Sequence, residues 1–240
     1  MTRYALPQHV FVCRSHEHIV FLDLKQDRYL ALDAAKAGGL ATLVQGWPSQ
    51  AADNGAQGAA EAANAEAVAQ FLIKRGLLTA DGTAGKDATP VRIDPPTAER
   101  VPDGLGSNLS IGAGILGNFL SATLFAAIQF RLRSLENVVR RVRCRNDAKR
   151  STQASVDFSR LESLLAAFAR LRPFLFTSRN ACLFESFALL EFLSRYGIYP
   201  AWVFGVQTRP FAAHCWLQVD GVVLNDTVEH VSGYTPIMVV

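Results

Sequence analysis

Three residues in the C-terminal third of the chain have the types and the order of a thiol-hydrolase site. Cys182 opens a helical pattern, His214 lies in a strand-like run, and Asp226 closes the next apolar run. A thiol can attack a carbonyl carbon when an imidazole takes its proton and a carboxylate fixes the imidazole tautomer. We therefore predict Cys182 as the nucleophile, His214 as the general base and acid, and Asp226 as the group that orients His214.

The predicted helix that starts at Cys182 runs to about Tyr196 and stops at Gly197. A thiol in the first turn lies at the positive end of the helix dipole, beside unpaired backbone N–H groups. Both features favour the thiolate, and the same N–H groups suit an oxyanion hole. Taken alone, Cys182 is better interpreted as a small buried packing residue, because cysteine is among the most buried residue types. The later histidine and aspartate favour the catalytic interpretation.

The turn at residues 219–221 decides whether His214 can face Asp226. Because side chains alternate between the faces of a strand, a two-residue loop would place Cys215 opposite Asp226. A three-residue loop, with its glycine in the left-handed conformation, places His214 there instead. We predict the three-residue loop. The same alternation predicts Cys215 as a packing residue, and we interpret His230 as a surface residue and the weaker alternative base.

Four potential metal ligands occur near the N-terminus, namely His9, Cys13, His16 and His18. No second ligand pair follows at zinc-finger spacing, so we interpret them as surface hairpin residues. We predict no metal and no cofactor.

Composition restricts the class of protein. Half of the 240 residues are hydrophobic, 19% are charged and the formal net charge is +3, which indicates a globular protein and gives no reason to expect a nucleic-acid partner. The four cysteines lack CxxC spacing, which favours a reducing compartment over a disulfide scaffold. The first residues lack an apolar segment typical of secretion. We predict a cytoplasmic location.

The element pattern predicts an α+β fold with two domains. Short strands over residues 9–32, a helix from Ala34 to about Gln45 behind the cap Asp33, and a helix over Glu61–Arg75 form a small winged-helix-like domain at residues 1–80. Residues 81–108 are rich in proline and glycine and form a linker that buries little apolar surface. Residues 109–240 form the second domain.

Two further stretches of the second domain have unusual composition. Residues 111–130 carry no charge, but their glycines and polar residues favour a buried helix over a membrane span, so we expect no membrane association. The basic run over residues 131–150 predicts a solvated helix face whose apolar side chains point inward: Leu132, Leu135, Val138, Val139 and Val142. The alternative is a docking surface for an acidic partner, a membrane or nucleic acid, although no aromatic residues accompany the arginines. Residues 157–171 predict a further amphipathic helix.

Five motifs lie around the three residues, in this order: Asn180-Ala181-Cys182-Leu183, Gly197-Ile198, Phe204-Gly205-Val206, Pro210-Phe211-x-Ala213-His214-x-Trp216 and Val219-Asp220-Gly221-x-x-Leu224-Asn225-Asp226. Together they resemble the lasso-peptide biosynthesis B protein, a transglutaminase-like leader peptidase, over residues 110–240. The first 80 residues are similar to the PqqD-like precursor-recognition domain of such pathways.

The resemblance implies a papain/transglutaminase-like cysteine protease domain that removes the leader from a ribosomally synthesised precursor. It also implies an ATP-dependent lasso cyclase as a partner, which the basic run would dock. In that family the leader adds as a strand between the third strand and the last helix of the small domain. Carried over to this chain, the binding candidates are Tyr29, Leu30, Phe71 and Lys74.

Two other functions fit the same residues. Transglutaminases, deamidases and arylamine acetyltransferase-like enzymes all pass through a thioester, so a Cys-His-Asp set does not separate them from a peptidase. A non-catalytic adaptor that delivers a precursor to another enzyme is the second alternative. The intact set Cys182, His214 and Asp226 argues against the adaptor, and a recognition domain favours a peptide substrate.

Overall fold

A computed structural model describes residues 4–48, 59–81, 85–100, 111–150, 156–174 and 182–240, apart from the side chains of residues 59–61, 150 and 174. The chain forms two compact units. The first comprises Met1–Arg92, Val206–Ala212 and Thr235–Met238, and the second comprises Ile93–Gly205, Ala213–Tyr234 and Val239–Val240. The change of unit after Arg92 falls within the segment predicted as a linker. Helices and strands are mixed in the chain, as the sequence predicts.

The first unit contains an antiparallel sheet of three strands, in the order β2 (Val10–Ser15), β3 (His18–Asp23) and β4 (Arg28–Asp33). The strands agree with the prediction for residues 9–32. The interpretation of Cys13 as a surface residue is wrong, because its thiol is buried, and burial raises its pKa to about 12. The winged-helix-like assignment stays a prediction.

Two helices pack on this sheet. Asp33 caps α1 (Ala34–Ala37) by accepting a hydrogen bond from the Ala35 N–H, but the helix then continues only as a 3-10 helix over Gly38–Thr42. The prediction of one helix to Gln45 is wrong, because two adjacent glycines at positions 38 and 39 disfavour the α conformation. Helix α2 (Ala59–Lys74) closely matches the prediction, and Gly76 ends it with a φ of +71°.

The proline-rich segment is more ordered than its composition indicates. Strand β5 (Gly85–Lys86) pairs with β1 (Leu6–Pro7), and β6 (Ala98–Glu99) pairs with β9 (Val222–Val223). The expectation that this segment only links two domains is therefore wrong for residues 85–100. Backbone hydrogen bonds to existing strand edges hold these short strands, so little apolar burial is needed.

The second unit holds most of a five-stranded sheet with the order β10 (Thr235–Val239), β7 (Ala201–Thr208), β8 (Phe211–Val219), β9 and β6. Its helices are α3 (Ala113–Leu132), α4 (Leu135–Arg150), α5 (Phe158–Leu171), α6 (Cys182–Ser194) and α7 (Val228–Ser232). Asp157 caps α5 through its side chain, which agrees with the predicted start of that helix. Aromatic contacts join α3, α5 and α6, with Phe119 packed on both Phe168 and Phe192.

Helix α3 is buried on one face only. By length and composition it could cross a membrane, yet Phe119, Ala122 and Ala126 lie in the core. The opposite face exposes five large apolar side chains: Leu116, Leu120, Leu124, Ile128 and Leu132. The prediction of a buried helix is therefore correct for one face only, and most of the helix is not buried.

The apolar side chains of the basic run divide between two helices. Val138, Val139 and Val142 are buried, as predicted for the inner face of α4. Leu132 is 75% exposed, contrary to the prediction, because α3 ends at that residue and α4 begins only at Leu135. Leu132 therefore does not share the inner face of α4.

Candidate active site

Cys182 is the first residue of α6, as the sequence predicts. The helix behind it runs through the core, with Phe187, Leu190 and Leu193 buried, while Cys182 itself is only half-buried. Gly197, with a φ of +78°, follows the helix. Asn180 and Ala181, which precede Cys182 in the predicted motif, lie outside the described residues. Helix α6 thus presents the half-buried Cys182 thiol at its first residue.

His214 lies on β8, where the strand changes from partly exposed to buried residues. Its ring stacks on Trp216, with centroids 6.2 Å apart, and packs on Tyr234 at 5.3 Å. Gly205 makes this packing possible, because a Cβ there would lie 2.8 Å from the Trp216 ring and 2.9 Å from the Tyr234 Cβ. The ring of His214 is therefore held between neighbouring aromatic groups.

The predicted three-residue loop between β8 and β9 is wrong. Val219 pairs with Val222 and Gln218 pairs with Val223, so the loop contains only Asp220 and Gly221. Both residues have positive φ, 47° and 77°, which is the pattern of a type I′ turn. Aspartate tolerates the left-handed conformation, so the Asp-Gly pair closes the ordinary two-residue turn without a bulge.

Asp226 nevertheless accepts a hydrogen bond from the Nε2 atom of His214. Strand β9 ends at Val223, and only the Leu224 N–H continues the pattern, by donating to the Leu217 carbonyl at 3.0 Å. The Asn225 side chain then accepts from the Leu217 N–H at 2.8 Å, in place of a backbone partner. The backbone has left the ladder before Asp226, so strand register does not decide which side chain it meets.

Cys182 and His214 form a hydrogen-bonded pair. Because Nε2 of His214 faces Asp226, its Nδ1 is the ring atom left for the thiol. Hydrogen bonds from Cys215 and His214 outweigh burial and lower the pKa of Cys182 to about 4. Burial lowers the pKa of His214, but hydrogen bonds with Asp226 and Cys182 outweigh it and raise that pKa to about 9. At neutral pH the pair is a thiolate and an imidazolium.

Cys215 belongs to this site, although the sequence predicts it as a packing residue. It is buried as expected, but its thiol and its backbone N–H both donate to the sulfur of Cys182. The Ser186 hydroxyl lies 3.3 Å from Cys215 Sγ and accepts from the Trp202 indole N–H at 2.9 Å. The bond to Cys182, together with burial, holds the pKa of Cys215 well above its usual range. Cys215 therefore stays a protonated donor to the neighbouring thiolate.

His230 is exposed, as its interpretation as a surface residue predicts, but it also contacts the site. Its Nδ1 lies 2.9 Å from both carboxylate oxygens of Asp226, and its ring centroid is 4.8 Å from that of His214. Burial raises the pKa of Asp226, but hydrogen bonds from His214 and His230 outweigh it and lower that pKa. The four-residue spacing from Asp226 to His230, behind the helix cap Thr227, is the signal that could have identified this contact.

Glu185 adds a second carboxylate near Cys182, one that sequence reasoning missed. It lies in the first turn of α6, and its Oε1 accepts from Nη1 of Arg172 at 2.6 Å. Burial raises the pKa of Glu185, Arg172 opposes that effect, and the negative charges of Cys182 and Asp226 reinforce it. The ion pair thus holds a charged group one helical turn from Cys182.

The cluster of His214, Asp226 and His230 places three potential ligand atoms within 4.8 Å of one another. A divalent cation would require the unprotonated form of His214, whose pKa is raised instead. Both rings already donate to the Asp226 carboxylate. We therefore interpret the cluster as a chain of hydrogen bonds and assign no metal to it.

The four residues predicted to bind a leader all belong to the first unit, but they do not line one common cavity. Phe71 is 40% exposed and lines a cavity of about 250 Å³, with the other lining residues Leu32, Asp33, Lys36, Ala67 and Val68. Tyr29 packs on Phe211 instead, at 5.6 Å, and Leu30 packs against the core of the unit. Lys74 is exposed in the last turn of α2. Of the four residues predicted to bind a leader, Phe71 is therefore the one that lines this cavity.

Comparison with known proteins identifies one family. Residues 122–239 match the model of the transglutaminase-like superfamily, so the C-terminal region contains a transglutaminase-like domain. The match spans Cys182, His214 and Asp226. Neither the curated proteins nor the solved structures include a match to this chain.

Proposed function

We propose that this protein is a cysteine peptidase that removes the leader from a ribosomally synthesised lasso-peptide precursor. The observation that carries the proposal is the contact of Cys182 with His214, which Asp226 holds through the other ring nitrogen. In a transglutaminase-like domain this arrangement is consistent with acyl transfer or proteolysis. The proposal of a peptide substrate rests on the first unit, and the proposal of the pathway rests on the sequence motifs around the site.

The charges of the site suit attack on an amide. The Cys182 thiolate adds to the carbonyl carbon at the end of the leader, and the imidazolium of His214 protonates the departing amine of the core peptide. The leader is then a thioester on Cys182. Neutral His214 accepts a proton from water, whose oxygen attacks the thioester carbonyl. The carbon–sulfur bond then breaks, which releases the leader with a carboxyl group and expels the Cys182 thiolate, so the thiolate and the imidazolium are restored. Asp226 holds the ring of His214 through both steps.

The negative oxygen of the tetrahedral intermediate needs donors. The backbone N–H groups in the first turn of α6 have no partners within the helix and lie beside Cys182. The positive end of the α6 dipole adds to their effect. We assign the oxyanion site to this turn, because the nucleophile is its first residue.

The first unit supports a peptide substrate. Among the described residues β4 pairs with β3 on one side, and its other edge is available for an added strand. The cavity beside Phe71 lies between β4 and α2, next to that edge, and its lining is mainly apolar. A leader that pairs with β4 would place alternate side chains toward this cavity. We therefore retain Phe71 as a leader-binding residue and propose Leu32 and Val68 in addition.

The pathway rests on the motifs around the three site residues. These motifs resemble the lasso-peptide B protein, and the product of such a reaction is a core peptide with a free amine. An ATP-dependent cyclase that consumes this amine is therefore the partner we propose, in the cytoplasm. The exposed basic residues of α4, which include Arg140 and Arg141, offer a docking surface for it.

Incubation with a synthetic precursor peptide, followed by mass spectrometry, tests the activity. We expect two fragments, the leader and the core, from the wild-type protein and intact precursor from Cys182→Ala. Cleavage that persists in Cys182→Ala would exclude Cys182 as the nucleophile. Ammonia release without cleavage would indicate a deamidase, and an amine-linked product would indicate a transglutaminase.

Leader binding is measured separately, with a fluorescent leader peptide and the Cys182→Ala protein. We expect Phe71→Ala to weaken binding about tenfold, because it removes the largest apolar side chain beside the cavity. Asn64→Ala is the matched control, since Asn64 is exposed on the same helix and does not line the cavity. Equal affinities of Phe71→Ala and the wild type would refute the binding groove.

A further inference from the structure

We propose that His230 is a positioning residue that holds Asp226 against His214, so that four residues rather than three prepare the nucleophile. The hydrogen-bonded chain runs from His230 through Asp226 and His214 to Cys182. The proposal rests on Cys182 acting as the nucleophile of the proposed function. It does not depend on which peptide or other acyl group the enzyme accepts.

The contacts define the direction of each hydrogen bond. A carboxylate only accepts, so Nδ1 of His230 must carry the proton that points at Asp226. That nitrogen lies 2.9 Å from Oδ1 and 2.9 Å from Oδ2, while the Thr227 N–H donates to Oδ1 at 2.7 Å. Nε2 of His214 donates to Oδ2. His230 therefore bridges both oxygens and fixes the plane of the carboxylate.

Local structure places His230 there. The Thr227 side chain caps α7 by accepting from the His230 N–H at 3.2 Å, and Val231 is buried and anchors the helix. His230 follows Asp226 by four residues, so one turn brings its ring over the carboxylate. Its ring also packs on Tyr234, with centroids 5.4 Å apart and planes at 89°. These contacts place the half-exposed ring of His230 against both Asp226 and Tyr234.

The hydrogen bonds to Asp226 explain why a positioning group is needed. Asp226 lies after the end of β9, so no strand pairing fixes its side chain. Among the described residues its backbone donor is the Thr227 N–H, which contacts Oδ1, the oxygen that does not face His214. His230 supplies the additional donor that keeps Oδ2 in place. The titratable groups around this carboxylate are Cys182 and Glu185 from α6, His214 from β8, His230 from α7 and the nearby Tyr234.

Alkylation of Cys182 by iodoacetate, in proteins that carry Cys144→Ser because Cys144 is exposed, tests the proposal without any peptide substrate. The anionic reagent reacts with the thiolate and is favoured by the neighbouring imidazolium, so the rate falls as His214 loses its proton at alkaline pH. This fall of the rate at high pH is the alkaline limb of the profile. We expect His230→Ala to move the limb to lower pH by about one unit, which corresponds to a tenfold lower proton affinity of His214. His230→Asn, which keeps a donor near the Nδ1 position, should restore the limb.

Peptide cleavage supplies a second readout. With a precursor substrate we expect His230→Ala to lower kcat about tenfold and to leave KM unchanged, because His230 does not touch the leader groove of the proposal. Glu229→Ala is the matched control on the same helix, since Glu229 is exposed and no described contact joins it to Asp226. The control should reproduce the wild-type limb and the wild-type kcat.

An unchanged alkaline limb in folded His230→Ala would overturn the proposal, and so would failure of His230→Asn to restore it. If His230→Ala does not fold, His230→Asn and His230→Gln decide, because only asparagine places its amide nitrogen near the Nδ1 position. Equal profiles of these two variants would contradict positioning by Nδ1. Normal alkylation with no cleavage of any precursor would instead count against the peptidase function and leave the positioning role intact.

Discussion

Cys215→Ala removes the thiol that donates a hydrogen bond to the sulfur of Cys182. A hydrogen bond to a charged group contributes roughly 1.5–3 kcal/mol. One pKa unit corresponds to about 1.4 kcal/mol, so the loss should raise the pKa of Cys182 by roughly one to two units. From its present value of about 4, the pKa would rise to roughly 5–6.

The consequence depends on pH. At pH 7 both proteins are mainly thiolate, so their rates should be similar. At pH 5 the thiolate fraction falls from about 90% to between about 50% and 10%, which predicts a loss of roughly two- to tenfold in reactivity. The defect of Cys215→Ala should therefore appear on the acid side only.

The assay is the rate of Cys182 alkylation by iodoacetamide between pH 3 and pH 8, followed by intact mass. Cys144 is exposed and would react as well, so all proteins carry Cys144→Ser. Cys215→Ser is the matched control, because its hydroxyl keeps a donor at the same position. An acid limb of Cys215→Ala that coincides with that of the wild type would refute the role assigned to Cys215.

Three further predictions concern the same site. The kcat/KM of wild-type cleavage should be constant between about pH 4 and about pH 9. It should fall below pH 4 because the Cys182 thiol is protonated there, and above pH 9 because His214 is neutral there. A single transition near pH 7 would contradict this. Asp226→Asn should lower kcat roughly 10²-fold and move the alkaline limb to lower pH, since a neutral amide no longer stabilises the imidazolium. Stopped-flow measurement of cleavage across pH gives both quantities. An alkaline limb at the wild-type pH would contradict the role of Asp226. Gly205→Ala should lower the free energy of unfolding in urea by about 1–3 kcal/mol, because the new Cβ would lie 2.8 Å from the Trp216 ring. The milder change Ala212→Gly serves as the control. An unchanged stability of Gly205→Ala would show that Trp216 shifts freely.

Local signals account for the elements that the sequence predicts well. Asp157 and Asp33 cap helices through their own side chains, and Gly76 and Gly197 follow helix ends with positive φ. Each of these features depends on a few neighbouring residues, so spacing and residue type suffice.

Two of the wrong predictions have local causes, the glycines 38 and 39 after α1 and the Asp220-Gly221 turn, but others involve contacts between separate elements of the chain. Asp226 meets His214 because Asn225 interrupts the strand ladder, a feature that strand register does not contain. Cys215 reaches Cys182 only once α6 and β8 pack together, and alternation along one strand cannot show this. The same limit explains α3, whose exposed Leu124 could not be separated from its buried neighbours without the packing of α6.

Titration of the Cys182 thiolate by its ultraviolet absorbance tests the central claim most directly. With Cys144→Ser, and with the pKa values of Cys13 and Cys215 raised by their surroundings, Cys182 is the cysteine that titrates below pH 8. We predict a midpoint near 4, which Cys182→Ser abolishes. A midpoint near the ordinary value of 9.0 would contradict the thiolate–imidazolium pair and the nucleophile assigned to it.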